Sequence, residues 1–113
     1  MTSVWLPEIP GDPAGMRALA ASLRGDAATV ASLADGLAAE VSGMTFEGPA
    51  ATEFFDRMQA TSQRCTDLAA RLLDLASLLE VAATEVEIAQ RERLRRMEEM
   101  RREALAEAPG GAL

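Results

Sequence analysis

The chain has no histidine, no tyrosine and no lysine, and it has a single cysteine among its 113 residues. Each gap closes off a kind of chemistry. Without His, the commonest general base and metal ligand is missing. The scattered Ser and Thr residues form no nucleophile-elbow pattern. One thiol, Cys65, permits no intramolecular disulfide framework, and on an apolar stripe it reads as a small, inert core residue. Gly48, Gly110 and Gly111 make no phosphate loop, and paired carboxylates such as Glu98 and Glu99 read as solvated charge. No run approaches the ~20 apolar residues that span a bilayer, and the N-terminus lacks the basic-then-apolar layout of a secretory signal peptide. The sequence thus predicts no catalytic residue, no metal site, no cofactor and no membrane insertion.

Aromatic residues are scarce as well: Trp5, Phe46, Phe54 and Phe55 are all there are. The hydrophobic 49% of the chain is therefore Leu, Ala, Met and Val, the composition of helix packed on helix. Eighteen acidic residues against eleven basic ones, all Arg, give a net charge of −7, the wrong sign for neutralising phosphates, so nucleic acid is not an expected partner. The fold class these numbers predict is all-α.

Along the chain, residues 1–11 hold two prolines and read as an extended arm. Asp12-Pro13 is a helix start, Asp as N-cap and Pro at the first helical position. From there Met16, Ala20, Leu23, Ala27, Val30, Ala34, Leu37, Val41 and Met44 alternate spacings of four and three, a heptad stripe ending near Gly43, which is expected to adopt the left-handed C-terminal conformation. Residues 44–48 form a turn and Pro49 opens a second helix. Its stripe runs Phe54, Met58, Thr61, Cys65, Leu68, Leu72, Leu75, Leu79, Ala82, Val86 and Ala89. The domain layout is thus an arm (1–11), an antiparallel helical hairpin with coiled-coil-like heptads (12–90; helix 12–43, turn 44–48, helix 49–90), a charged extension of the second helix (91–107) and a disordered tail (108–113). Residues 1–90 carry 13 acidic and 5 basic groups, residues 91–113 carry 5 and 6.

Two helices have little interior, so the stripes call for a partner, with Leu23, Val30, Leu37, Phe54, Leu68, Leu72, Leu75, Leu79 and Val86 as candidate interface residues and a four-helix bundle as the dimer. Counted residue for residue from the turn, the first helix covers the second to about Leu78, which leaves Leu79, Ala82, Val86 and Ala89 as an apolar overhang that the arm with Trp5 and Leu6 would partly cover. Ala20, Ala27 and Ala34, and likewise Ala69, Ala76 and Ala83, recur every seven residues. They fit either packing within the hairpin or close contact between subunits. Arg57, Arg64 and Arg71 form a column beside the second stripe, a partner-selecting edge or a solvated one. Trp5 is a lid or a binding anchor, and Arg95, Arg96, Arg101 and Arg102 mark a candidate recognition tail or a solvated extension.

The turn Phe46-Glu47-Gly48, with Pro49-Ala50-Ala51 and Phe54 after it, resembles the Trp-x-Gly turn of the WXG-type helical-hairpin family of type VII secretion substrates. The stretch Ile9-Pro-Gly-Asp-Pro-Ala-Gly-Met-Arg-Ala-Leu-Ala20 is similar to the start of helical N-terminal leader domains of actinobacterial polymorphic toxins, and Ala89-Gln90 stands where those domains often carry Ala-Gln. The resemblance covers roughly residues 5–92. Phe46 takes the place of the signature Trp, and a chain without Tyr cannot carry the family's Tyr-x-x-x-Asp/Glu export signal. The resemblance therefore implies a substrate or an escort and partner subunit whose mate supplies the signal. Its partners would be itself or a homologous small helical protein, a helical toxin leader and a type VII secretion ATPase. Release would follow cytoplasmic assembly by a signal-peptide-independent route. The alternatives are a cytoplasmic regulatory or structural homodimer, and a neutralising partner of a toxin.

Overall fold

The computed structural model describes residues 6–45 and 47–107. They form two helices, α1 (Pro13–Gly43) and α2 (Pro49–Glu107), packed antiparallel. At the start of α1 the Asp12 carbonyl accepts the Met16 N–H at 2.9 Å, while the Asp12 carboxylate makes no capping hydrogen bond. Gly43 does not turn left-handed, contrary to the expectation from sequence. The helix ends instead at Met44 in extended conformation (φ −89°, ψ 142°), with its N–H on the Val41 carbonyl at 3.2 Å. Gly48 does need to be glycine: its φ is +94°, and its carbonyl accepts both the N–H and the hydroxyl of Thr52 as α2 begins. Phe46, Trp5 and the tail 108–113 lie outside the described residues.

The extended exit from α1 changes the pairing. An extended residue advances about 3.3 Å where a helical one advances 1.5 Å, so the chain runs on before it reverses and α2 starts beyond the end of α1. Arg24 consequently faces Glu80, and Arg17 faces Glu87. The overhang expected from Leu79 onward is not there: Leu79, Ala82 and Val86 lie alongside α1 and the arm, all half-buried.

Where the helices meet they bury alanine almost exclusively. Ala20, Ala27, Ala34 and Val41 of α1 oppose Ala69, Ala76 and Ala83 of α2, none more than 6% exposed. The two alanine columns, open in the sequence between two roles, pack within the hairpin. Small side chains let the axes approach toward the lower end of the usual ~8–10 Å. Nearer the turn, Ser62 takes the next place in the seam and donates its hydroxyl to the Ala34 carbonyl at 3.1 Å, which satisfies a polar group where α1 would otherwise cover it.

The result is a rod one helix thick, with extents of 98 × 17 × 12 Å and a radius of gyration of 27.3 Å, about twice the ~13 Å of a compact chain this long. Its accessible surface is 8513 Å², whereas a compact monomer of 12.0 kDa exposes roughly 6000 Å².

Candidate interaction surface

Relative to the buried alanines, one group of large apolar side chains occupies the same two offsets in both helices. One position before stand Leu19 and Leu33 in α1, and Leu68 and Leu75 in α2. Three positions after stand Leu23, Val30 and Leu37 in α1, and Leu72, Leu79 and Val86 in α2. At 100° per residue these offsets point to one side of the seam. Antiparallel helices are related by a two-fold perpendicular to their common plane, so equal offsets on the two helices fall on the same face of the ribbon. The opposite offset provides a check: Arg24 and Glu80 each lie four after a buried alanine, and they do meet.

One face of the hairpin is therefore mainly apolar, with Asp26 and Glu40 in its α1 column, and the opposite face carries the Arg–Glu pairs together with Leu73, 47% exposed. On the apolar face Leu33 is 64% exposed, Leu19 51%, Leu68 and Leu75 48% each and Phe54 42%, while Leu23, Val30, Leu37, Leu72, Leu79 and Val86 are half-buried. All nine candidate interface residues stand on this face and none is fully buried in the hairpin. Thr61, a polar residue in the α2 column of this face, turns its hydroxyl to the Arg57 carbonyl at 2.9 Å. Leu78, Val81 and Ile88 stand exposed on the outer side of α2.

On the charged face, Arg24 grips Glu80 with both terminal nitrogens, one pair at 2.8 Å, and Arg17 donates to Glu87 at 2.8 Å. The hydrogen bond from Arg24, then the charges of Arg24 and Arg17, hold the Glu80 carboxyl below the usual carboxylate range, against partial desolvation. Glu87 is lowered in the same sense by its hydrogen bond from Arg17, by the charge of Arg17 and, more weakly, by Arg91. The unfolded chain lacks these pairs and takes up protons at higher pH, so the pairs stabilise the hairpin above the ordinary carboxylate range and the gain is lost on acidification. The expected result is a Tm nearly constant from neutral pH down to about pH 5 and falling below about 4.3. Because all four groups stay partly open to solvent, the slope is modest. In Glu80→Gln/Glu87→Gln part of that acid decline should disappear; an identical pH profile would show the pairs to be ornamental.

The arm is tied to α2. Gln90 donates its amide to the carbonyls of Ile9 (3.2 Å) and Gly11 (3.1 Å), and Arg93 donates Nε–H to the Leu6 carbonyl at 3.2 Å. Gly11 sits at φ +129°, and a Cβ there would come within 2.9 Å of Val86. Conformation and space both demand glycine. Gly11→Ala is expected to cost about 1–3 kcal/mol and to speed amide exchange through the arm and the Val86 turn of α2; unchanged exchange would show the arm docks by other means. Sequence reasoning noted Gln90 only as part of an Ala-Gln pair and gave Gly11, Gln90 and Arg93 no part in holding the arm. The available signal was Pro-Gly-Asp-Pro, where a glycine between two rigid residues marks a forced turn.

Beyond the arm, Arg95, Arg96, Arg101 and Arg102 are all exposed, Arg102 beside Glu98 at 3.4 Å, and Arg96 borders a hollow with Leu6, Ile9 and Ala89. The structure does not gather these four arginines into a cluster with the apolar face. Cys65 is half-buried within that face. Among the described residues no three His, Cys, Asp or Glu side chains are grouped to hold a metal ion, and no helix is long and apolar enough to cross a membrane. No protein-family model matches the chain, and neither do the curated proteins or the solved structures.

Proposed function

We propose that the chain is a non-catalytic, WXG-like helical hairpin that acts by helix–helix dimerisation, as a substrate or an escort and partner subunit in type VII secretion. The observation that carries this reading is the apolar face. A ribbon one helix thick has no second layer to cover a row of leucines, so the leucines stay in water until another chain supplies that layer. The chain exposes roughly 2500 Å² more than a compact monomer of its mass, a surplus spread over the whole rod and its C-terminal extension. The antiparallel hairpin and the Phe46-Glu47-Gly48 turn support the WXG-like assignment, and the dimer would be a four-helix bundle.

Expression in a host with an intact type VII system tests the reading. The chain is expected in the culture supernatant, in a complex of fixed stoichiometry, and absent there when the secretion ATPase is inactivated. Persistent retention in the cytoplasm under both conditions would favour the homodimer with no role in export. Residues 1–90, with 13 acidic and 5 basic groups, favour a second reading, a cap on a basic toxin. That reading expects co-expression to rescue growth of toxin-producing cells.

A further inference from the structure

The arm lies across the far end of the apolar face. In α2 the two columns of that face continue past Leu79 and Ala82 at the same heptad offsets. One goes on through Val86 and Arg93 to Met100, the other through Ala89 to Arg96. Residues 6–11 lie against both. Gly11 leaves no room for a Cβ beside Val86, and Leu6, Pro7 and Ile9 border a hollow with Ala89, Arg93 and Arg96. Val86, Ala89 and Arg93 are half-buried there, whereas Leu68 and Leu75, nearer the turn on the same face, stand 48% exposed. The arm is what covers this end.

We propose that the arm is an autoinhibitory strap. Docked, it shuts the far end of the apolar face, and a helical mate gains Val86 and Ala89 only when the arm swings away about Gly11. The proposal rests on the function argued above and adds a regulation of the same face.

Three observations carry it. First, the arm is held by its carbonyls. Those of Leu6, Ile9 and Gly11 accept from the side chains of Arg93 and Gln90, and among the described residues no backbone–backbone hydrogen bond joins the arm to α2. On release each of these groups turns to water, so opening orphans no buried polar atom. Second, the arm commits little apolar surface. Leu6 and Ile9 are half-buried, while Pro7, Glu8, Pro10 and Gly11 are exposed. A segment so lightly packed opens well before the alanine seam does. Pro7 and Pro10 limit the disorder gained on release, which lets few contacts keep the strap closed. Third, the hinge stands clear of the helix. Gly11, at φ +129°, precedes the Asp12 carbonyl that begins α1, so the arm can move while α1 stays intact. Opening lengthens the apolar face by about two turns.

A disulfide that locks the strap tests it. A Cβ at position 11 would stand 3.7 Å from the Val86 Cβ, inside the range a disulfide spans. In Gly11→Cys/Val86→Cys/Cys65→Ala the oxidised chain is held shut. The reduced chain, with a side chain at a conformation that suits glycine, opens. Circular dichroism should show α1 and α2 helical in both states. The probes are the apolar dye anilinonaphthalene sulfonate, a second copy of the chain and, in parallel, a homologous helical hairpin. Reduction is expected to raise dye binding and to tighten association, measured by sedimentation equilibrium, on the order of tenfold. Cys65→Ala alone should not respond to reductant. Equal dye binding in the two states overturns the strap. Association that is equal in both states, or tighter when oxidised, removes the strap alone and leaves the proposed function standing. Association in neither state, with either protein probe, removes both.

Discussion

Replacing Ala76 by leucine is expected to lower the stability of the hairpin by about 2–3 kcal/mol, with a fall in Tm of roughly 10–20 °C. Ala76 is fully buried at the centre of the seam, against a helix that offers its own alanines in return. Three extra carbons have nowhere to go between two backbones at close approach. The helices must part, and contact is lost for several residues on either side. The same change at Ala70, exposed one position past the seam, serves as the control and should alter Tm little. Equal melting of the two variants would mean that the helices do not touch along this line.

The second large effect concerns association rather than folding. Leu68→Gln/Leu75→Gln removes two side chains that are each nearly half exposed in the hairpin, so the monomer should change by only about 1 kcal/mol. In a symmetric pair the substitution acts twice and places four polar side chains where the interface requires apolar ones. The loss is expected to reach roughly 3–4 kcal/mol of binding free energy, about two to three orders of magnitude in Kd. Sedimentation equilibrium of the two chains over a range of concentrations measures this directly. Identical dissociation constants would place the interface elsewhere.

The pair of expectations separates two sets of residues that the sequence merges into one stripe. Heptad spacing in α1 collects Ala20, Ala27 and Ala34 with Leu23, Val30 and Leu37, because a period of seven cannot say which of two adjacent columns faces the neighbouring helix. In α2 the most apolar column, through Leu68, Leu72 and Leu75, looks like the contact line. The actual contact runs one position over, through Ala69, Ala76 and Ala83. The reason is steric: small residues on both helices permit a close approach that leucines would prevent, and the larger side chains are displaced to the flank. The antiparallel hairpin itself was legible, from two long apolar periodicities and a short Gly-Pro turn. The stagger of the helices was not, because it depends on the backbone dihedrals of Met44, which periodicity does not encode. The cross-helix pairs Arg17–Glu87 and Arg24–Glu80 were hidden for the same reason, since their partners follow from the stagger.

A body measuring 98 × 17 × 12 Å drags far more solvent than a sphere of equal mass. On a sizing column a single hairpin would elute among compact proteins of much greater mass and so imitate a pair, while a pair packed side by side along its length would gain more thickness than length. Friction per unit mass therefore falls on pairing, and the sedimentation coefficient should rise more steeply than a change in elution volume would suggest.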